Sequence, residues 1–110
     1  MNRPREPPNR RRKMKFYHAT PKSNIGKIAR DGEIKASWDG CVYLCKNAGD
    51  ACKFVAVRGV RDMCAIELNI DEKDVEESFD HSEDFFQCKA YAHKGGIALE
   101  GTETVYEFEA

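Results

Sequence analysis

The sequence predicts an α+β domain in which two short helices pack on a mainly antiparallel sheet. The first observation is the order of the predicted elements, which runs strand, helix, strand, helix and then mostly strands. The second is a strict alternation over residues 63–70, as in a strand with one buried face. The third is a composition of 41% hydrophobic and 34% charged residues over 110 positions, which is typical of one small globular domain.

The charges are unevenly distributed, although the formal net charge is only −1. Residues 1–15 hold seven Lys or Arg against one Glu, whereas residues 71–110 hold three Lys against twelve Asp or Glu. Residues 1–13 also contain three prolines and almost nothing apolar, so we expect a disordered basic arm before a domain over residues 14–110. The arm is suited to bind nucleic acid or an acidic surface, or it is a solubilising tail.

No run of about 18 apolar residues is present, and no apolar stretch follows the basic N-terminus. We therefore expect a cytoplasmic monomer that does not associate with a membrane. The five cysteines are an odd number and form no C-x-x-C pair. We expect them to be reduced thiols that pack as small apolar side chains, without a bound metal.

The first predicted strand ends in Phe16-Tyr17-His18-Ala19-Thr20. A short helix follows, because Ile25, Ile28 and Ala29 fall at helical spacing behind several N-cap candidates. The pair Asp31-Gly32 is typical of a helix C-terminus, so this helix is expected to end there.

The second strand and the second helix are predicted between residues 41 and 59. Residues 34–40 are a loop or edge segment, and Cys41-Val42-Tyr43-Leu44-Cys45 is a short strand. The stretch Asn47-Ala48-Gly49-Asp50 matches a capping box with Asp in place of Glu. One apolar helical face then consists of Ala51, Cys52, Val55 and Ala56.

The remaining chain is predicted to be mostly strands after the alternating segment. The acidic residues 71–84 are a hairpin or irregular excursion, and residues 85–91 are a strand. Gly95-Gly96 marks a turn, after which residues 97–99 and 102–108 are expected to pair as the two closing strands.

Three residues with functional chemistry, His18, Tyr43 and Glu103, stand at the ends or edges of these strands. Taken singly, each has an ordinary explanation as a surface or core residue. In combination the chain resembles the diphtheria-toxin-like ADP-ribosyltransferases with a His-Tyr-Glu triad, which include small bacterial and phage mono-ADP-ribosyltransferases. The resemblance is carried by Phe16 to Thr20, Val42 to Leu44, the following helix with Ala51 and Phe54, and Glu103-Thr104-Val105-Tyr106.

The resemblance implies a split antiparallel sheet and an enzyme that transfers ADP-ribose from NAD to a macromolecule, expected to be a protein. His18, braced by Thr20, is then expected to hydrogen-bond the adenine-side ribose, and the backbone of Ala19 to bind the carboxamide. Tyr43 is expected to stack on the nicotinamide. Glu103 is expected to stabilise the sugar cation that forms as the nicotinamide leaves.

Trp38 has three open roles: covering the nicotinamide ring, contacting the acceptor, or anchoring its loop in the core. The chain also departs from the family. Position 101 is Gly, so the Glu-x-Glu pair of arginine-modifying relatives is absent and arginine is not the expected acceptor. The foldable part is about 95 residues, which is short for this family.

Three alternatives to the transferase stay open. The first is a non-catalytic module of the same fold that binds NAD or a partner and acts as an inhibitor or adaptor. The small size of the chain favours this alternative. The second alternative is an enzyme similar to RNA 2′-phosphotransferases, which requires a more basic pocket than residues 71–110 suggest. The third is a nucleic-acid-associated protein whose working part is the arm.

Overall fold

The computed structural model of this chain describes residues 13–56, 59–78 and 90–109. Within these ranges the fold is α+β, as predicted, with eight strands and two short α-helices. The strands are β1 (Lys13–Pro21), β2 (Glu33–Ile34), β3 (Cys41–Leu44), β4 (Asp62–Asp71), β5 (Val75–Ser78), β6 (Ala90–Lys94), β7 (Ile97–Ala98) and β8 (Val105–Glu109). The helices are α1 (Ile25–Asp31) and α2 (Ala48–Ala56), and single 3-10 turns occupy Lys22–Asn24 and Glu72–Asp74.

Every strand pair in the described ranges is antiparallel. The strands form three groups, with the orders β1-β4-β8, β3-β6-β5 and β2-β7. The first two groups meet at one point, where Tyr17 and Cys45 exchange two backbone hydrogen bonds of 2.8 and 2.9 Å. This contact brings the end of β3 beside the middle of β1.

The strand β4 lies where the alternating segment predicted it, but it is buried on both faces. The apolar set that includes Ile66 and Leu68 packs into one core with Phe16 of β1. On the opposite face, Met63 and Ala65 pack against α2 and are also buried. The expected solvent face is therefore wrong at this end of the strand, because the helix covers it.

The main core lies between the β1-β4-β8 sheet and the other two groups of strands. Its buried members come from five strands and are Phe16, Ile34, Val42, Leu44, Ile66, Leu68, Ile70 and Ile97. Burying side chains of this size is worth about 1.5–3 kcal/mol each, so this cluster is the principal source of stability.

The end of α1 and the start of α2 both follow from local sequence signals. Gly32 ends α1 with a φ of +70°, and its N–H donates to the carbonyl of Ile28 at 2.9 Å. A residue without a Cβ adopts that conformation at low cost. At the start of α2, Asn47 Oδ1 accepts from the N–H of Asp50 at 2.7 Å, and Asn47 Nδ2 donates back to the Asp50 carboxylate at 2.8 Å.

The predicted pairing of the two closing segments is wrong. β7 pairs with β2, with Ile34 opposite Ile97, whereas β8 pairs with β4. The physical reason is burial, because Ile34 and Ile97 both enter the main core and a β7–β8 hairpin would leave Ile34 without its strand partner. Part of the acidic stretch 71–84 forms β5, which pairs with β6 and so fits the hairpin alternative better than the irregular one.

Several sequence-based expectations fall on residues outside the described ranges. These are the arm up to Arg12, the side chain of Phe54, most of the predicted strand over 85–91, and Cys88. The other four cysteines are reduced thiols, and three of them are buried, as expected for small apolar side chains. None of the described helices is long and apolar enough to cross a membrane.

Candidate functional site

His18 is fixed by a residue that is distant in sequence. Its Nδ1 lies 2.9 Å from the backbone oxygen of Tyr43, 25 positions along the chain. The Tyr17–Cys45 bridge brings the two strands together next to this contact. A carbonyl oxygen only accepts, so Nδ1 is the donor in this hydrogen bond.

A cleft of about 500 Å³ opens beside this histidine. Its walls come from the end of β1, from α1 and from the segment that follows α1. The lining includes three residues predicted for NAD binding, which are His18, Ala19 and Thr20. The volume is within the range of small-molecule sites, about 300–1,000 Å³.

Thr20 is buried and is hydrogen-bonded on the α1 side of the cleft. Its Oγ1 accepts from Asn24 Nδ2 at 3.3 Å, so the described hydrogen bond braces Thr20 against Asn24. Ala19 is also buried, with its side chain on the α2 side of β1. The small Cβ of Ala19 allows the helix to pack closely behind the strand that carries His18.

Tyr43 joins the site through its backbone. Its neighbours Val42 and Leu44 are buried, so its own side chain lies on the other face of β3, half-buried. The phenol donates a hydrogen bond to Asp39 Oδ2, and Asp39 Oδ1 accepts from the N–H of Cys41 at 3.1 Å. The ring is therefore tied to the 37–40 turn, and it is not part of the lining of the His18 cleft.

Trp38 is 98% exposed. Of the three open roles of Trp38, that of a core residue anchoring its loop is therefore wrong, because the ring is almost wholly in solvent. The residue that Trp38 follows, Ser37, lines the His18 cleft. Trp38 itself is not part of the lining and faces solvent.

Glu103 lies in a different cavity, a hollow of about 110 Å³ that it lines with Glu67, Ile97 and Thr104. Its Oε2 accepts from the N–H of Glu100 at 2.6 Å, and its Oε1 accepts from the N–H of Gly101 at 2.9 Å. Partial burial acts to raise the pKa of Glu103, but hydrogen bonds from nearby backbone N–H groups outweigh it and hold the pKa below its ordinary value of 4.5.

The strand registers relate the two cavities. His18 is opposite Ile66, and Ile66 is opposite Val105, two residues after Glu103. His18 and Val105 are therefore two strand spacings apart, roughly 10 Å. Glu103 lies before the start of β8 and lines a separate cavity, so His18 and Glu103 do not share one cleft in the described residues. Between the cavities is the β2–β7 pair, because Ile34 lines one cavity and its partner Ile97 lines the other.

Sequence reasoning did not single out the charged residues of the His18 cleft. Two lysines, Lys27 and Lys35, line it together with Asp31 and Glu33. Lys35 and Asp31 form an ion pair at 3.7 Å. The signal was present, since positions 27 and 31 are one helical turn apart on the helix that follows the histidine strand.

A second polar cluster was also missed and lies on the α2 side of the central sheet. Glu67 Oε1 accepts from the hydroxyls of Tyr17 at 2.9 Å and Tyr106 at 3.2 Å, while Lys15 lies 3.7 Å from Oε2. The Tyr17 hydrogen bond is the main reason that the pKa of Glu67 is lowered. The cluster ties β1, β4 and β8 together across the sheet.

The buried thiols do not offer a nucleophile. Burial raises the pKa of Cys52 to about 11, and burial also raises the pKa of Cys64. A thiol reacts as the thiolate, so these two side chains are unreactive near neutral pH. No cluster of three or more His, Cys, Asp or Glu side chains in the described ranges is arranged to hold a metal ion.

Comparisons of the chain with protein-family models, with curated proteins and with solved structures found no match.

Proposed function

We propose that this chain is an NAD-dependent mono-ADP-ribosyltransferase of the His-Tyr-Glu type, with the split antiparallel fold of that family. The observation that carries the proposal is the 2.9 Å contact between His18 Nδ1 and the Tyr43 carbonyl. It supports the proposal because it brings the backbone of Tyr43 to the ring of His18, which lines a cleft of small-molecule size. A histidine held in one orientation by a distant backbone group is typical of a binding site.

The tautomer of His18 suits the proposed contact with NAD. With Nδ1 donating to the Tyr43 carbonyl, Nε2 accepts from a hydroxyl of the adenine-side ribose. A hydrogen bond of this kind contributes about 0.5–1.5 kcal/mol. Lys27 lines the same cleft and supplies a positive charge for the pyrophosphate, whereas Lys35 is ion-paired with Asp31. Thr20, held by Asn24, shapes the wall next to the histidine.

The reaction breaks the bond between C1′ of the ribose and the nicotinamide nitrogen. The bonding electron pair leaves with nicotinamide, and an acceptor nucleophile then attacks the cationic C1′ and loses its proton. An ionised carboxylate next to C1′ stabilises the cation, and the lowered pKa of Glu103 keeps that group ionised at neutral pH. NAD bound at His18 must extend past the β2–β7 pair to reach it.

One observation favours a second candidate, a non-catalytic NAD-binding module. Glu103 lies in its own hollow and its carboxylate already accepts two backbone hydrogen bonds. In this case Glu103 only stabilises the turn between β7 and β8. The phosphotransferase alternative is less well supported, because the two lysines of the His18 cleft are balanced by Asp31 and Glu33.

The test is a paired measurement of NAD binding and nicotinamide release, with His18→Ala as the variant and His93→Ala as the control. His93 is a matched histidine, because its Nδ1 also contacts a backbone carbonyl, that of Gly95 at 3.1 Å. The transferase predicts that both signals are present and that only His18→Ala loses them. Binding without release supports the module, and the absence of both contradicts the proposal.

A further inference from the structure

The Ser37–Gly40 turn, which carries Trp38, is fixed by backbone hydrogen bonds within the turn and to a neighbouring turn. Within the turn, the N–H of Gly40 donates to the Ser37 carbonyl at 2.9 Å, and the N–H of Ser37 donates to the Cys41 carbonyl at 2.9 Å. Across to the 95–96 turn, the N–H of Gly95 donates to the Gly40 carbonyl at 2.7 Å. A large aromatic ring is thus kept in solvent by a defined backbone.

Asp39 adds two further restraints to the same turn. Its carboxylate accepts from the N–H of Cys41 and from the phenol of Tyr43. Its negative charge is therefore engaged by these two donors. A side chain on a restrained turn loses little conformational freedom when it binds, which favours a recognition role over an accidental exposure.

The surroundings of Trp38 indicate what it contacts. Large apolar residues that are exposed in the described ranges are Trp38, Val105 and Tyr106, and the last two lie on β8, beyond β1 and β4. Among the described residues, no other exposed large apolar side chain lies on this turn or on β3 and β6 next to it, which differs from the apolar surround of a protein-docking anchor. One flat ring with both faces in water is suited to stack on a single planar base.

The nearest basic residues fit the same partner. Lys94 is opposite Cys41 in the β3–β6 ladder, at the end where the turn begins, and Lys35 is two residues before Ser37. Both side chains belong to exposed residues. Lys35 is also ion-paired with Asp31 at 3.7 Å, which leaves its side chain 64% exposed. An exposed aromatic ring on a turn bordered by lysines suits single-stranded nucleic acid bound without reading its sequence.

We propose that the Ser37–Gly40 turn contacts single-stranded nucleic acid, with Trp38 stacking on a base and Lys35 and Lys94 facing the phosphates. The proposal is independent of NAD cleavage. If the chain is a transferase, the position of the turn at the rim of the His18 cleft would bring the nucleic acid within reach as an acceptor. The arginines of the sequence before Lys13 would add attraction that does not depend on stacking.

The chain contains a single tryptophan, so its fluorescence reports this contact directly. The experiment titrates the full chain with a single-stranded oligonucleotide of about 10 nucleotides and, separately, with the matching duplex. We expect saturable quenching by the single strand and little by the duplex, in which the bases are already stacked. Equal quenching by both, or none at low salt, would overturn the proposal.

Variants are compared by the anisotropy of a labelled oligonucleotide. Trp38→Ala is expected to weaken binding by about 5- to 150-fold, the range for loss of one stacked base, and Trp38→Phe by less. Lys94→Ala is expected to reduce the salt slope by about 0.7, the value for one phosphate contact on a single strand. The controls Tyr106→Ala and Lys53→Ala remove an aromatic ring and a cation elsewhere and should leave binding unchanged.

Replacing Arg10, Arg11 and Arg12 by Ser in the full chain separates the arm from the turn. We expect weaker overall binding but the same quenching at saturation. If Trp38→Ala binds as tightly as the wild type, the arm alone binds nucleic acid and the proposal fails. Quenching by an acidic peptide and not by the oligonucleotide would instead assign the turn to a protein partner.

Discussion

The His18 cleft and the Glu103 hollow are built in opposite ways. His18 is held by a carbonyl 25 positions away, and its cleft combines β1, α1 and the segment after α1. Glu103 is held by N–H groups only two and three positions away. The geometry of His18 therefore depends on the whole fold, whereas that of Glu103 is largely a property of its own turn.

This difference separates two kinds of role. A polar side chain that is oriented by a distant strand depends on many other residues for its position. Such an arrangement is common in binding sites. Turns are commonly stabilised by a carboxylate that accepts hydrogen bonds from the backbone N–H groups two and three residues before it. The structure thus supports a site role for His18 more strongly than for Glu103, and each prediction below tests that contrast.

The largest expected effect is a loss of stability on changing Ile34, in the β2–β7 pair that separates the two cavities. Ile34 is 2% exposed, pairs with Ile97 and belongs to the main core. Ile34→Ala is expected to lower the free energy of unfolding by about 2–5 kcal/mol, since it leaves a void under the β2–β7 pair. Urea denaturation measures this loss, with Ile28→Ala on the half-buried face of α1 as a milder control. A loss for Ile34→Ala no greater than for Ile28→Ala would show that β2 is not part of the core.

The second effect concerns catalysis at Glu103. If its carboxylate stabilises the sugar cation, Glu103→Gln should lower the turnover of NAD on the order of 10²-fold or more, with little change in NAD affinity. Glu100→Gln is the matched control, because Glu100 lines the same hollow but interacts with Glu103 through its backbone N–H. Turnover that is unchanged in Glu103→Gln would assign Glu103 to the turn and favour the binding module.

Local signals in the sequence were enough for the parts of the fold that depend on neighbours. The end of α1 at Gly32 and the start of α2 after Asn47 are set by caps that span three or four residues. The strand β4 was evident from its alternation. Its second buried face was not, because the helix that covers it is brought there by the fold and not by the sequence of the strand.

Pairing of distant segments was the part that could not be predicted. A Gly-Gly turn precedes β7 and β8 follows it shortly afterwards, so the local pattern fitted a hairpin of β7 with β8. The strand that pairs with β7 is instead β2, in which Ile34 lies 63 positions before its partner Ile97. Only the burial of both isoleucine side chains favours this pairing. The same holds for the site, where the residues around His18 were predicted but Lys27, Asp31 and Glu33 were not.

The third effect tests how Tyr43 takes part. Tyr43→Ala removes the ring but keeps the carbonyl that holds His18. If the ring stacks on nicotinamide, the dissociation constant of NAD should rise by about 2- to 12-fold, corresponding to the loss of about 0.5–1.5 kcal/mol, with a smaller change in turnover. Isothermal titration calorimetry measures the constant.

Tyr43→Phe is the control, since it keeps the ring and removes only the hydrogen bond to Asp39. We expect it to bind NAD like the wild type. If Tyr43→Ala also does so, the ring is not part of the NAD site and Tyr43 contributes only its backbone oxygen to His18.

The smallest expected effect is the pH dependence of the turn at Glu103. The pKa of Glu103 in the folded chain is below its ordinary value of 4.5, which approximates the unfolded chain. The ionised form is therefore favoured by folding. Its contribution to stability is fully present above pH 4.5 and is lost as the pH falls through the lowered pKa of the folded state.

Glu103→Gln removes this titration and keeps the size of the side chain. The measurement is the difference in unfolding free energy between the wild type and Glu103→Gln at several pH values from neutral to about two units below 4.5. The wild type should be the more stable at neutral pH, and its advantage should shrink as the pH falls. Other carboxylates titrate in both proteins and cancel in the difference. An advantage that is constant with pH would mean that folding does not lower the pKa of Glu103, so that the two backbone N–H groups do not favour the ionised carboxylate over the protonated one.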